Sequence, residues 1–236
     1  MNNFKIKADK NEVLRLLGYQ DSLPDPLADS QIDACIKKVE EQLDPKYVYR
    51  VFDIEKISSA DAVGGEGFFR YRLAGTHFSF EGNSADTLLG ECHQCILLAV
   101  TLGRKADYLL MQAQVRNMAG AVITGCCENA AVEDYCNQIN DYLESQYLKE
   151  GLYLTDRFSP GYGDMPIEYQ TELCEILDTY KLIGLTTTVS EILTPTKSIT
   201  AVIGISDKPQ PKRITGCDNC KMRDRCQLRR NGTFCG

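Results

Sequence analysis

The stretch Arg157-Phe-Ser-Pro-Gly-Tyr-Gly-Asp-Met-Pro166 (RFSPGYGDMP) places two prolines, two glycines, an arginine, a tyrosine and an aspartate within ten residues. Pro160 presets φ near −65° and Gly161 accepts a positive φ, so Ser159-Pro160-Gly161-Tyr162 reads as a type II turn. Gly163 permits a second close approach of backbone, and Asp164-Met165-Pro166 reads as a helix start, with Asp near the cap and Pro in the first turn. The expected local structure is strand, rigid loop, helix. Two readings follow: a tight connection only, or a loop whose amides, guanidinium and phenol recognise a small carboxylate-bearing ligand.

Working outward, Leu152 to Thr155 reads as the strand before the loop, and Pro166 to about Tyr180 as the helix after it, with Leu173, Ile176, Leu177 and Tyr180 on one face. Thr186–Leu193 and Ser198–Ile205 read as two strands joined through Pro195, ahead of the linker SDKPQPKR. Upstream, Lys105 to Lys149 is rich in helix formers, with breaks expected near Arg116-Asn117 and Gly125 and hence two or three helices. The run CILLAVTLG (Cys95–Gly103) reads as a buried strand, and Asn83 and Ser84 as caps of a short helix before it. Phe68–Leu73 and Thr76–Phe80 around Ala74-Gly75 predict a β-hairpin, preceded by a strand from Tyr47 to Ile57. Ile32, Cys35, Ile36, Val39 and Leu43 mark an amphipathic helix, and a shorter one ends at Gly18. Strands and helices do not alternate strictly. The fold class is therefore α+β, a mainly antiparallel twisted sheet flanked by helices, over residues 1–206, with a linker and a short Cys-rich tail at 207–236.

The 26 basic and 33 acidic residues give a net charge of −7, which argues against a general nucleic-acid surface. No apolar run has the length of a membrane span, and MNNFKIKADK lacks the apolar segment of a signal peptide, so a cytoplasmic location is expected. A reducing compartment makes the eleven cysteines candidates for burial, metal ligation or redox work rather than a disulfide framework. Cys35, Cys136 and Cys174 read as small core residues, and so does the vicinal pair Cys126-Cys127 in an Ala/Gly-rich helical stretch. Cys92-His93-Gln94-Cys95 carries ligand residue types, but with no second pair nearby it reads as a helix end entering a buried strand. His77 has no nucleophile partner legible in sequence, and Gly64-Gly65-Glu66-Gly67 precedes a hairpin rather than a helix, which disfavours a phosphate cradle.

The tail GCDNCKMRDRCQLRRNGTFCG spaces Cys217, Cys220, Cys226 and Cys235 as C-x2-C-x5-C-x8-C. Four thiolates in a segment too short and polar to build a core point to a metal in place of the core: zinc as a clamp, or an iron–sulfur cluster that also carries electrons. Lys221, Arg223, Arg225, Arg229 and Arg230 lie among these cysteines, where they offset thiolate charge or dock an acidic partner.

Taken together, RFSPGYGDMP, the helix after it, KLIGL (Lys181–Leu185) and TPTKSITAVIG (Thr194–Gly204) resemble the reactivation domain of cobalamin-dependent methionine synthase, over roughly residues 120–205. That domain carries an R-x-x-P-G-Y segment, a helix, an I-G-x-x-L-T-E-S-like strand and a P-x-x-S-V-S strand. The whole looks like a stand-alone version of the domain. The resemblance implies binding of S-adenosylmethionine and reductive methylation of cobalamin on a separate methionine synthase or other corrinoid protein, with a one-electron donor. It implies a methyltransferase component of methionine biosynthesis. By position, Arg157 matches the arginine that pairs with the ligand carboxylate, and Tyr162 the tyrosine of the same loop. Phe158 and Ser159 would offer backbone groups, while Pro160 and Gly161 shape the turn. Glu133, in the AVEDY stretch, resembles part of a family helix and is a further ligand-binding candidate. Gly163 replaces the family's proline, and Val189 stands where the strand would have its glutamate. The four-cysteine tail is an addition to the pattern. The alternative function is an iron–sulfur or zinc electron-transfer adaptor for a corrinoid methyltransferase.

Overall fold

The computed structural model describes residues 4–19, 22–58, 69–210 and 225. In chain order it contains α1 (Lys10–Leu16), α2 (Pro26–Gln42), β1 (Lys46–Ser58), β2 (Phe69–Leu73), β3 (Ser79–Glu81), α3 (Asn83–Leu89), β4 (Gln94–Thr101), α4 (Arg104–Arg116), α5 (Met118–Lys149), β5 (Tyr153–Leu154), α6 (Tyr169–Ile176), α7 (Thr179–Ile183), β6 (Thr186–Thr187), β7 (Leu193–Thr194) and β8 (Ser198–Ser206).

Six of the strands form one sheet in the order β3-β2-β1-β4-β8-β5. The hairpin pairs run antiparallel, from Ile54↔Leu73 to Ser58↔Phe69 between β1 and β2. At the two ends of the β4–β8 pair, His93 N–H donates to Ile205 O at 3.3 Å and Leu102 N–H to Lys197 O at 2.9 Å, which fixes an antiparallel register. Residues Cys95 to Thr101 of β4 and Thr200 to Ser206 of β8 are all buried. Such unbroken burial is what central strands covered on both faces require, and it explains why CILLAVT is continuously apolar rather than alternating. The fold is α+β, with an antiparallel sheet flanked by helices, as the run of strand and helix signals implied.

The chain divides into two compact units. One comprises Met1–Val48, Ala99–Leu143 and Asp178–Ile199; the other comprises Tyr49–Leu98, Glu144–Leu177 and the segment from Thr200. In the first unit, Val13, Ile32, Val39, Leu102, Cys127, Ala131, Cys136 and Ile139 are all at most 1% exposed. Phe4 packs against the rings of Tyr47, Tyr135 and Tyr142 at centroid separations of 5.7, 6.2 and 5.8 Å. In the second, Tyr71, Leu73, Phe80, Leu88, Leu89, Leu173, Leu177 and Val202 form the core, and Phe78, Phe80 and Tyr169 meet edge to face.

Several local expectations are corrected. α5 is one helix running through Gly125, and the break falls only at Asn117, whose side chain accepts from Gly120 N–H at 2.6 Å and caps it. A single glycine costs a helix about 1 kcal/mol, less than the buried stripe Thr124, Cys127, Ala131, Tyr135, Ile139, Leu143 returns. The helix after the loop starts at Tyr169 rather than Pro166 and ends at Ile176, because Asp178 takes φ +52° and starts α7 afresh; Tyr180 is 67% exposed. Thr186–Leu193 is a two-residue-per-strand hairpin instead of a long strand, with Val189 fully exposed at its tip.

Candidate functional site

The loop after β5 is tied along β8. Thr155 N–H donates to Gly204 O at 3.0 Å and Thr155 Oγ1 accepts from Gly204 N–H at 2.7 Å. Three residues on, Phe158 exchanges both backbone hydrogen bonds with Val202, at 3.0 and 2.8 Å. Arg157 thus lies between two attachment points. Three residues separate these attachments against two on β8, so one extra residue is accommodated at Asp156-Arg157; Phe158 is buried and Arg157 half-buried.

Beyond Phe158 the chain makes two overlapping turns. Tyr162 N–H donates to Ser159 O at 3.3 Å with Gly161 at φ +90°, the type II geometry expected of Ser159-Pro160-Gly161-Tyr162. Met165 N–H then donates to Tyr162 O and Gly161 N–H to Met165 O, both at 3.0 Å, around Gly163 at φ +54°. Pro160 is buried beneath the turn and Tyr162 is 68% exposed at its tip. The amides of Phe158, Gly161 and Tyr162 are therefore engaged within the protein, which shifts recognition by this loop toward side chains and carbonyl oxygens.

Asp164 has a different role from the local cap that its position suggested. Its Oδ2 accepts from Asn83 N–H at 2.7 Å and its Oδ1 from Ser84 N–H at 2.9 Å, so it caps α3, whose own N-cap residue, Gly82, has no side chain to do so. Asn83 and Ser84 are in the helix, not its cap. A Cβ on Gly163 would overlap Ser84 Oγ and lie 3.1 Å from Phe158 Cζ, and the positive φ there excludes proline. The departure from the family's G-Y-P is thus built into a loop that docks on α3 through Ser84.

The expected site residues Arg157, Phe158, Ser159, Pro160, Gly161 and Tyr162 share this loop in the second unit. Glu133 is exposed on α5 in the first unit. Cys217, Cys220, Cys226 and Cys235 lie outside the described residues, as does Gly64-Gly65-Glu66-Gly67. Cys127, Cys136 and Cys174 are buried, as read, whereas Cys35 and Cys126, read with them as core residues, are only half-buried; Cys95 is buried in β4, and Cys92 is half-buried, its Sγ donating to Leu88 O at 3.5 Å. Among the described residues no group of three or more His, Cys, Asp or Glu is placed to hold a metal, and no helix is long and apolar enough to cross a membrane.

Sequence reasoning missed two features of α5. Glu128 is fully buried with neither carboxylate oxygen hydrogen-bonded, while nearby Lys197 donates to Asn129 Oδ1 at 2.7 Å. Burial pushes its carboxyl up to about 8, against the opposing charge of Lys197. Its helical position in a polar-looking ENAAVED run gave no sign of burial. The second feature is a contact between the thiols of Cys35 and Cys127.

No protein-family model matches the chain, and no curated protein matches it. Among solved structures it is similar to a crystal structure of the MetH reactivation domain bound to AdoHcy. The TM-score is 0.58 over 98% of this chain and 86% of that one, at 14% sequence identity. The chain has the fold of that domain, in agreement with the resemblance carried by its motifs.

Proposed function

We propose that this chain binds S-adenosylmethionine and supports reductive methylation of cobalamin held by a separate cobalamin-dependent methionine synthase or related corrinoid protein. The observation that carries this reading is the loop Arg157–Tyr162: an arginine held between two backbone attachments to β8, followed by a type II turn presenting an exposed tyrosine. The likeness of fold to a domain named as bound to AdoHcy supports it. In this proposal the Arg157 guanidinium pairs with the amino-acid carboxylate, the kind of charge-assisted contact for which arginine is suited. Tyr162 closes over the ligand, and the Ser159 carbonyl is an acceptor for its ammonium. The ligand supplies a sulfonium methyl to cobalt after a one-electron donor has reduced the cobalt. The chain's part is to orient that methyl and exclude water.

Residues 1–206 form the activation-domain-like part of this proposal, and 207–236 a linker and metal-holding tail. The spacing of Cys217, Cys220, Cys226 and Cys235 supports one four-thiolate centre, either zinc or iron–sulfur.

The test is reconstitution. A cobalamin-dependent methionine synthase lacking a reactivation domain is oxidised to its cob(II)alamin form and given S-adenosylmethionine and a one-electron reductant. The visible spectrum of methylcobalamin should return only when this chain is added. Equal recovery with and without the chain would overturn the proposal.

A further inference from the structure

Seven cysteines among the described residues form no disulfide, and their surroundings differ sharply. Cys95, Cys127, Cys136 and Cys174 are buried, while Cys35, Cys92 and Cys126 are half-buried. Burial pushes the Cys92 thiol up to about 12, with Glu91 adding to it, and burial also pushes Cys95 and Cys126 up. Such thiols are unreactive. Cys35 is instead pulled down, to about 7, first by a hydrogen bond from Cys127, against its own burial, and further by the charge of Lys38.

The geometry behind this is a junction of two helices in the first unit. Cys35 on α2 places its Sγ 3.6 Å from Thr124 Oγ1 on α5, and the Thr124 hydroxyl is itself anchored to Gly120 O at 2.8 Å. Cys127 follows Thr124 by three residues, on the same face of α5, and its thiol meets Cys35. Cys35 is half-buried and Cys127 fully buried.

We propose that Cys35 is an oxidative modification site for hydroperoxides, with Cys127 as its resolving partner, so that oxidation links α2 to α5 by a disulfide. In the first step the Cys35 thiolate attacks one peroxide oxygen, the O–O bond breaks, hydroxide leaves and Cys35 becomes a sulfenic acid. In the second, Cys127 loses its proton as its sulfur attacks the Cys35 sulfur, and the sulfenic hydroxyl departs as water. One peroxide accepts two electrons from the two thiols. Neither step requires Cys127 to reach solvent, because its nucleophilic target is the neighbouring sulfur.

The experiment treats the full-length, reduced protein with stoichiometric hydrogen peroxide, blocks remaining thiols by alkylation, and maps peptides by mass spectrometry. The expected result is loss of the alkylated Cys35 and Cys127 peptides, with a cross-linked peptide joining these two residues that dithiothreitol reverses. In Cys127→Ser the reaction should stop at a Cys35 sulfenic acid that dimedone traps. If both thiols of the wild-type protein stay fully alkylated while other cysteines oxidise, or if Cys35 is joined to any other cysteine, the proposal is overturned. The wild-type arm does not depend on how a variant folds.

Discussion

Asp164 and Ser84 grip each other in both directions: the Asp164 carboxylate accepts the Ser84 amide at 2.9 Å, and Ser84 Oγ accepts the Asp164 amide at 3.3 Å. Residues some eighty positions apart thereby join the loop to the start of α3, and the loop that carries Arg157 is fixed at its far end by this pair. Asp164→Ala removes the cap from two amides and should cost about 1 kcal/mol, the usual scale of a lost N-cap. Thermal or urea unfolding reads this directly, and an unchanged midpoint would contradict it.

The same pair has a pH signature. Burial pushes the Asp164 carboxyl up, but the hydrogen bonds from Ser84, Asn83 and its own amide together outweigh it and hold it below the ordinary carboxylate value. A depressed folded-state value means stability present above the unfolded carboxyl range and lost as pH falls through the folded value. Asp164→Asn should therefore lose part of the acid sensitivity of the wild type. Superimposable acid-unfolding curves for the two proteins would rule this out.

Gly163 is predicted to resist substitution. At φ +54° any other residue is strained, and its Cβ would overlap Ser84 Oγ. Gly163→Ala should cost about 1–2 kcal/mol. The Ser84→Ala, Gly163→Ala double variant should cost less than the sum of the singles, since the overlap is removed while the backbone strain stays. Strict additivity would show that the two residues do not meet.

Much of this was legible in sequence. Pro160-Gly161 announced the turn, and the continuous run CILLAVT announced a buried strand. What was not legible depends on pairings distant in sequence. Asp164 reads locally as a cap for the helix that follows it, yet it caps α3, because only the folded chain brings residues 83–84 to it. Gly125 reads as a helix break, but helix continuity is set by tertiary burial on both sides of it. Cys35, Thr124 and Cys127 carry no common motif, and their meeting follows from the packing of α2 on α5.

Glu128 makes the protein less stable as pH rises. Its folded carboxyl is pushed up from 4.5 to about 8, chiefly by burial. The folded state thus holds a proton that the unfolded chain releases, and its contribution is fully present below the unfolded value and lost as pH rises through the folded one. The slope is at most about 1.4 kcal/mol per pH unit between those limits. Glu128→Gln should flatten it, gaining on the wild type between about pH 5 and pH 8. Parallel stability curves for the two proteins would show that Glu128 does not titrate in this window.

The tail should bring one metal centre per chain through anaerobic purification, and Cys220→Ser should lose it. Broad visible absorbance would identify iron–sulfur, and a colourless protein with stoichiometric zinc a structural clamp. Metal-free protein after anaerobic purification would contradict a four-thiolate site.

The central claim, that the Arg157 loop holds the amino-acid carboxylate of S-adenosylmethionine, is tested most directly by calorimetric titration. S-adenosylmethionine and its decarboxylated form are each titrated into wild-type protein and Arg157→Ala. The account predicts saturable one-to-one binding to the wild type, a loss of about 1.5–3 kcal/mol in Arg157→Ala, and a similar loss on removing the carboxylate. It further predicts that the variant binds both ligands alike. Undiminished affinity in Arg157→Ala, or a variant that still discriminates the carboxylate, would contradict it.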